Sequence, residues 1–171
     1  MGLPKNTLDF IVSNAGDLSG KQMLELGNQR IRGNADTKCK TGKEFFTEAG
    51  CKHVSIDMNG LDGAFKKDLN KPIYGLGKFN VITNSGTSGY VANQIQCFKN
   101  IHSLCKDGGR MIHIVPEKDS KWTGKQYDAA FFVRLADEYG YDIVTNETME
   151  GQYGLLRCVV LVKARNDKRD I

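Results

Sequence analysis

The sequence predicts a three-layer α/β sandwich with a mainly parallel sheet and an antiparallel edge at its C-terminus. Short apolar runs alternate with stretches of helical periodicity along the 171 residues, the pattern of successive β–α–β units. The apolar runs stop at Gly27, Asp57, Asn84 and Pro116, residue types that end strands and open loops. No repeat, low-complexity tract or proline-rich linker divides the chain, so residues 1–171 are expected to form a single domain.

The first strand is Gln22–Leu26, closed by Gly27. A polar, basic stretch over 30–43 follows; without an apolar stripe before Lys43, part of it is expected to be mobile in the absence of substrate, as a substrate lid. Thr41 is placed to cap a helix running to about residue 49, with Glu44 completing a capping box and Gly50 as the stop. The second strand covers 51–57, where Val54 and Ile56 alternate with polar neighbours, and a glycine-rich turn follows. The next strand lies over 79–83. A helix over 90–105 carries Val91, Ile95, Phe98, Ile101 and Cys105 on one face at spacings of three and four, with Gly108 and Gly109 as its stop. A strand over 111–115 ends at Pro116, and a polar loop then holds Trp122. Tyr127, Phe131, Leu135 and Tyr139 mark a further helix ended by Gly140. Strands over 141–145 and 155–164 form the expected antiparallel edge.

Composition narrows the function. Hydrophobic residues make up 40% and charged residues 26%, ordinary for a globular chain. The net charge of +4 is spread along the sequence rather than gathered in a stripe, so a nucleic-acid partner is not indicated. No apolar run is long enough for a membrane span, and the first twenty residues lack a signal core. Five cysteines, an odd number without a C-x-x-C pair, read as free thiols of a cytoplasmic protein. Cys39, Cys51 and His53 lack a fourth ligand at usual spacing, and no metal is expected. His102 and His113 read as packed histidines, and Trp122 and Tyr90 as cover for the sheet edge or the lining of a substrate pocket.

Ligands of open α/β sheets bind outside the carboxyl ends of the strands, where strand order reverses. Asp57 ends the second strand, where a carboxylate can accept hydrogen bonds from both hydroxyls of a ribose; alone, it reads equally well as a turn aspartate before Asn59-Gly60. Gly27 lets backbone approach a ligand because it lacks a Cβ. Asn28, Gln29 and Arg30 stand where a dinucleotide fingerprint has further glycines. Those glycines serve a pyrophosphate at a helix N-terminus, so their absence argues against a nicotinamide cofactor.

Met23-Leu24-Glu25-Leu26-Gly27 resembles the first motif of class I S-adenosylmethionine-dependent methyltransferases, a Rossmann-like family. Ser55-Ile56-Asp57 is similar to their second acidic position, and Lys67-Asp68-Leu69 to the acidic–apolar pair that holds adenine. The 79–84 segment resembles their fourth strand, with Asn80 in place of the usual aspartate, and 104–109 the turn before the fifth. The likeness covers roughly residues 20–164. It implies S-adenosylmethionine as cofactor and particular roles. Glu25 would orient the methionine ammonium, and Gly27 and Asn28 would run along the amino-acid portion. Asp57 would hold the ribose, and Met58 would lie against the adenine. Asp68 and Leu69 would receive the adenine edge, and Asn84 would sit near the methionine end. The chain departs from the pattern in lacking the second glycine of the first motif and in the long segment from Gly27 to Asp57.

The implied activity is methyl transfer to an N, O or C nucleophile of an unidentified small molecule, with no catalytic residue named. Two other readings stand beside it: a methyltransferase-like binding module without catalysis, and a nicotinamide-dependent reductase on a similar sheet.

Overall fold

The computed structural model describes residues 2–33 and 35–165. In chain order its elements are α1 (Lys5–Ala15), β1 (Gln22–Leu26), α2 (Gly42–Glu48), β2 (Lys52–Asp57), β3 (Phe65–Lys66) and β4 (Phe79–Ser85). There follow a 3₁₀ turn (Thr87–Tyr90), α3 (Gln94–Leu104), β5 (Cys105–Pro116), α4 (Ala129–Tyr139), β6 (Tyr141–Gly151) and β7 (Gly154–Lys163). The strands form one seven-stranded sheet in the order β3-β2-β1-β4-β5-β7-β6. The pairs from β3 to β5 are parallel; β7 runs antiparallel to β5, and β6 antiparallel to β7. This is the mainly parallel sandwich with an antiparallel edge that the sequence predicts.

The alternation of side chains along each strand supplies both faces of the sheet. On one face Leu24, Leu26, Ile82 and Met111 pack with Phe98 and Ile101 of α3 and Phe132 of α4. On the other, Met23, Val81 and Ile112 pack with Leu8 and Ile11 of α1 and Phe46 of α2. Each such fully buried side chain contributes about 1.5–3 kcal/mol relative to exposure. The central strands therefore read as continuous apolar runs, which is how they are found in sequence.

Several elements differ from expectation. α1 is read by no sequence signal above; its cue is Leu8, Ile11 and Ala15 on one buried face, after Pro4 and before Gly16. Ile95 does not join the buried stripe of its helix: it is 70% exposed, and Cys97, Phe98, Ile101 and Leu104 form the stripe instead. The helix begins at Gln94 because Asn93 caps it through the Gln96 amide. It ends at Leu104, before Gly108 and Gly109, which lie in β5. A Cβ on Gly109 would meet the Cys105 sulfur and the Lys106 carbonyl oxygen at 2.7 Å, so glycine there serves a close backbone crossing at the β4–β5 irregularity. β6 runs to Gly151, past the expected residue 145, because polar residues are tolerated on an edge strand.

Candidate functional site

The chain runs from β1 to β2 on one side, while β4 lies on the other, so the loops leaving β1 and β4 diverge and open a crevice. Gly27 turns the chain out of β1 at φ 89°, donating its N–H to Ile56 at 2.8 Å. Asn28 comes next, and its N–H donates to Asp57 Oδ2 at 2.7 Å. Asp57 Oδ1 accepts the Asn59 N–H at 2.9 Å, so the carboxylate ties the β1 loop to the turn after β2. The Asn28 side chain continues that tie, donating to Asp62 Oδ2 at 2.7 Å and to the Leu61 carbonyl at 3.2 Å.

A cavity of about 310 Å³ lies at these strand ends. It gathers the sequence-predicted residues Asn28, Asp57, Met58, Asp68 and Leu69. Asp68 accepts from the Asn70 backbone and side chain at 2.9 and 2.8 Å, and the backbone amide first, then the side chain, holds its carboxyl below the usual range. Leu69 is buried at the cavity floor, while Met58 is 58% exposed at its rim.

Glu25, Gly27 and Asn84 do not line this cavity. Glu25 projects from the sheet face that carries Met23, close against Gly42 at the start of α2. Its Oε2 lies 3.4 Å from His53 Nε2, and neither carboxylate oxygen has a hydrogen-bond partner. Burial pushes its carboxyl up from the ordinary value, and His53 acts in the opposite sense. Asn84 is fully buried and its amide is committed inward. Oδ1 accepts the Ser88 N–H at 3.0 Å, and Nδ2 donates to Ser88 Oγ at 2.8 Å and to His113 Nδ1 at 3.1 Å. It fixes the 3₁₀ turn that walls the cavity rather than offering a polar group to it. His113, expected to be a packed residue, is one: it lies against Phe98 and Phe132, and burial pushes its pKa down to about 3.

Gln29 and Thr87 are site residues that the sequence motifs do not single out. Both line the cavity. Gln29 is buried, and its Nε2 donates to Thr87 Oγ1 at 3.1 Å and, at 3.4 Å, to the carbonyls of Leu26 and Ser85. Thr87 in turn donates to the Leu26 carbonyl at 2.6 Å. The two side chains bridge the ends of β1 and β4 over Gly27, where an added Cβ would meet each at 2.5 Å. For Thr87 the available cue is its place two residues past the end of β4, after Gly86.

The described residues of the 30–43 stretch are tied to the fold at both ends. Ile31 donates its N–H to Lys40 at 2.9 Å, Arg32 to Leu3 at 3.1 Å and Gly42 to Gln29 at 2.9 Å. Its far end is the Thr41–Glu44 capping box of α2, as predicted. The backbone pins both ends because Leu3 pairs with Ile31 and Arg30 with Thr41.

A larger cavity, of about 660 Å³, meets the first at Tyr90. It lies between the start of α1, the loop after β5 and the β6–β7 turn. Among the described residues no cluster of metal-ligating side chains is present, and no helix is long and apolar enough to cross a membrane.

These features define a class of fold: the chain has the Rossmann-like fold of class I S-adenosylmethionine-dependent methyltransferases. Among solved structures, it is similar to magnesium protoporphyrin IX methyltransferase of Synechocystis PCC 6803 with bound cofactor, with a TM-score of 0.67, 16% identity and coverage of 94% of this chain and 79% of that one. It is also similar to the 1,6-didemethyltoxoflavin-N1-methyltransferase of Burkholderia thailandensis, with a TM-score of 0.65, 12% identity and coverage of 94% and 84%. The N-methyltransferase NodS of Bradyrhizobium japonicum WM9 gives a TM-score of 0.62, 13% identity and coverage of 91% and 84%. No protein-family model matches the sequence, and no curated protein matches it either.

Proposed function

We propose that this chain, acting as one domain over residues 1–171 in the cytoplasm, transfers a methyl group from S-adenosylmethionine to an N, O or C nucleophile of a small molecule. The observation that carries the reading is Asp57 at the end of β2, lining a 310 Å³ cavity at the switch point of the sheet. The neighbouring structures of similar fold, solved with S-adenosylmethionine or S-adenosylhomocysteine, support it. Five buried free cysteines support a reducing compartment.

The residues present fit the cofactor. Each Asp57 oxygen accepts one backbone N–H and keeps a lone pair for a ribose hydroxyl. Asp68, Leu69 and Met58 offer an acceptor and two apolar surfaces for adenine. The role proposed for Glu25 toward the methionine ammonium has no support from this cavity, since Glu25 is buried against Gly42 and beside His53 and does not line it. The bound sulfonium supplies a methyl group reactive enough to need no protein nucleophile. The chain's contribution is to orient the reactants and exclude water.

A second reading, a binding module without catalysis, is favoured by one feature. The buried Gln29 side chain occupies the space over Gly27 that glycines would leave open. Its bonds to Leu26 and Ser85, at 3.4 Å, are long, and we read it as displaceable by ligand. Titration calorimetry with S-adenosylmethionine, followed by a search for label transfer from methyl-labelled cofactor, separates the two. Binding with transfer supports the enzyme; binding without transfer to any acceptor supports the module; no binding contradicts the enzyme and leaves a module whose cofactor site is closed by Gln29.

A further inference from the structure

We propose that the 660 Å³ cavity is the acceptor pocket and that it takes a planar aromatic molecule bearing an anionic group. This deepens the methyltransferase reading and rests on the smaller cavity being the cofactor site.

Three observations carry it. The first is position: Tyr90 lines both cavities, so a molecule in the larger one abuts whatever fills the smaller. The second is an aromatic wall. Tyr90 and Trp122 have ring centroids 5.5 Å apart, and Trp122 and Tyr153 have centroids 5.8 Å apart, all on the lining. Tyr90 and Tyr153 remain 63% and 52% exposed although each packs against Trp122. Their flat faces are available to stack against a flat ligand. A cavity of this size lies within the range of small-molecule sites.

The third is charge. Arg32 and Lys121 line the cavity, and neither makes a salt bridge among the described residues. Glu150 is the single carboxylate among the described lining residues, so the pocket is net positive. Arg32 is held at the cavity by its backbone N–H to Leu3 and by close packing of its stem on Gly2, where an added Cβ would meet its Cδ and Nε at 2.7 Å. A guanidinium fixed at its stem and free at its head suits a carboxylate or phosphate, which it can grip through two parallel bonds.

Trp122 is the only tryptophan, so its fluorescence reports this cavity directly. The probe is 4-nitrobenzoate, flat, anionic and an efficient quencher, with 4-nitrobenzamide as the neutral counterpart and cyclohexanecarboxylate as a non-aromatic competitor. Saturable quenching by 4-nitrobenzoate is expected, with affinity reduced about tenfold in Arg32→Ala. Tyr153→Ala is expected to weaken binding severalfold through lost stacking. The amide should bind as weakly to the wild type as to Arg32→Ala, and cyclohexanecarboxylate, which keeps the anion and lacks the flat ring, should compete with severalfold lower affinity than 4-nitrobenzoate. Linear, unsaturable quenching, or saturation unchanged in both variants, overturns the proposal. Parallel calorimetry with S-adenosylhomocysteine keeps the two readings apart. If adenosylhomocysteine binds without saturable quenching, the pocket proposal fails alone. If quenching is saturable and depends on Arg32 while adenosylhomocysteine does not bind, the cofactor reading and the acceptor role fail, and the ligand class stands.

Discussion

Asp57 Oδ2 accepts the backbone N–H of Asn28 at 2.7 Å, which locks the turn leaving β1 to the end of β2. The same carboxylate that is placed to hold a ribose therefore also builds the cavity in which the ribose would lie. Its removal has two separable consequences, one on ligand affinity and one on the fold.

Asp57→Ala is expected to weaken S-adenosylhomocysteine binding by about 2–4 kcal/mol, roughly thirty- to a thousandfold, through loss of two charge-assisted bonds that are not additive. It is also expected to cost about 1 kcal/mol of stability, because the Asn28 and Asn59 amides lose their acceptor. Asp57→Asn, which retains one acceptor, should be milder on both counts. Asp62 is not a neutral control, since it accepts from Asn28 Nδ2 at 2.7 Å. Asp17→Ala is one: its Oδ1 accepts the Ser19 N–H at 3.0 Å, and it does not line the cavity. Equal affinity in Asp57→Ala and Asp17→Ala, measured by calorimetry, contradicts the ribose assignment.

Thr41→Ala breaks the capping box of α2 and should lower stability by about 1 kcal/mol, a Tm shift of about 2–4 °C for a chain of this size. Calorimetric unfolding reads this directly. A Tm unchanged within error would mean that the Glu44 bonds to the Lys40 and Thr41 amides, at 2.6 and 3.3 Å, hold the helix start alone.

His113 makes stability fall in acid. Asn84 donates to its Nδ1 at 3.1 Å, so a proton arriving there faces a donor, and burial lowers the folded pKa to about 3. The unfolded chain takes up that proton below about pH 6.5 while the folded chain does not. Stability is therefore present above about 6.5 and is lost as pH falls toward 3, by up to about 1.4 kcal/mol per unit from this residue. Glu25 works in the opposite sense: its raised pKa means that the unfolded carboxyl ionises first as pH rises above its ordinary value of 4.5, which also lowers stability on that side. Urea unfolding of wild type and His113→Gln between pH 7 and 4.5 isolates the histidine. The wild-type curve should fall more steeply, and parallel curves would show that His113 binds its proton in the fold.

Amide exchange over the basic segment tests the pinned loop. Ile31, Arg32 and Gly42 should be protected, since each donates to a backbone carbonyl. Rapid exchange at all three would restore the partly mobile lid that composition alone suggests.

The sheet was legible because its central strands are buried on both faces. Met23, Leu24 and Leu26 are all fully buried, and such a run can be read without any partner in view. The Thr41–Glu44 cap was legible because it is local in sequence. Contacts between distant segments were not. Ile31 and Arg32 are polar-flanked residues whose partners, Lys40 and Leu3, are set by tertiary pairing. Ile95 has helical spacing but faces solvent, since hydrophobic periodicity alone does not say where the neighbouring layer stops. At the site, strand ends pointed to Asp57 and Asp68 but not to Gln29, whose place over Gly27 depends on Thr87, 58 positions away. Nor did sequence indicate that the Asn84 amide is spent on Ser88 and His113.

The central claim is that the cavity at the ends of β1, β2 and β4 takes an adenosine-bearing sulfonium cofactor rather than a dinucleotide. Thermal unfolding with S-adenosylhomocysteine and with NAD tests it most directly. At a ligand concentration a hundredfold above Kd, the first should stabilise the fold by about 2.7 kcal/mol. NAD should leave the melting temperature unchanged, because Asn28, Gln29 and Arg30 stand where its pyrophosphate needs glycines. A larger rise with NAD than with S-adenosylhomocysteine would contradict the account.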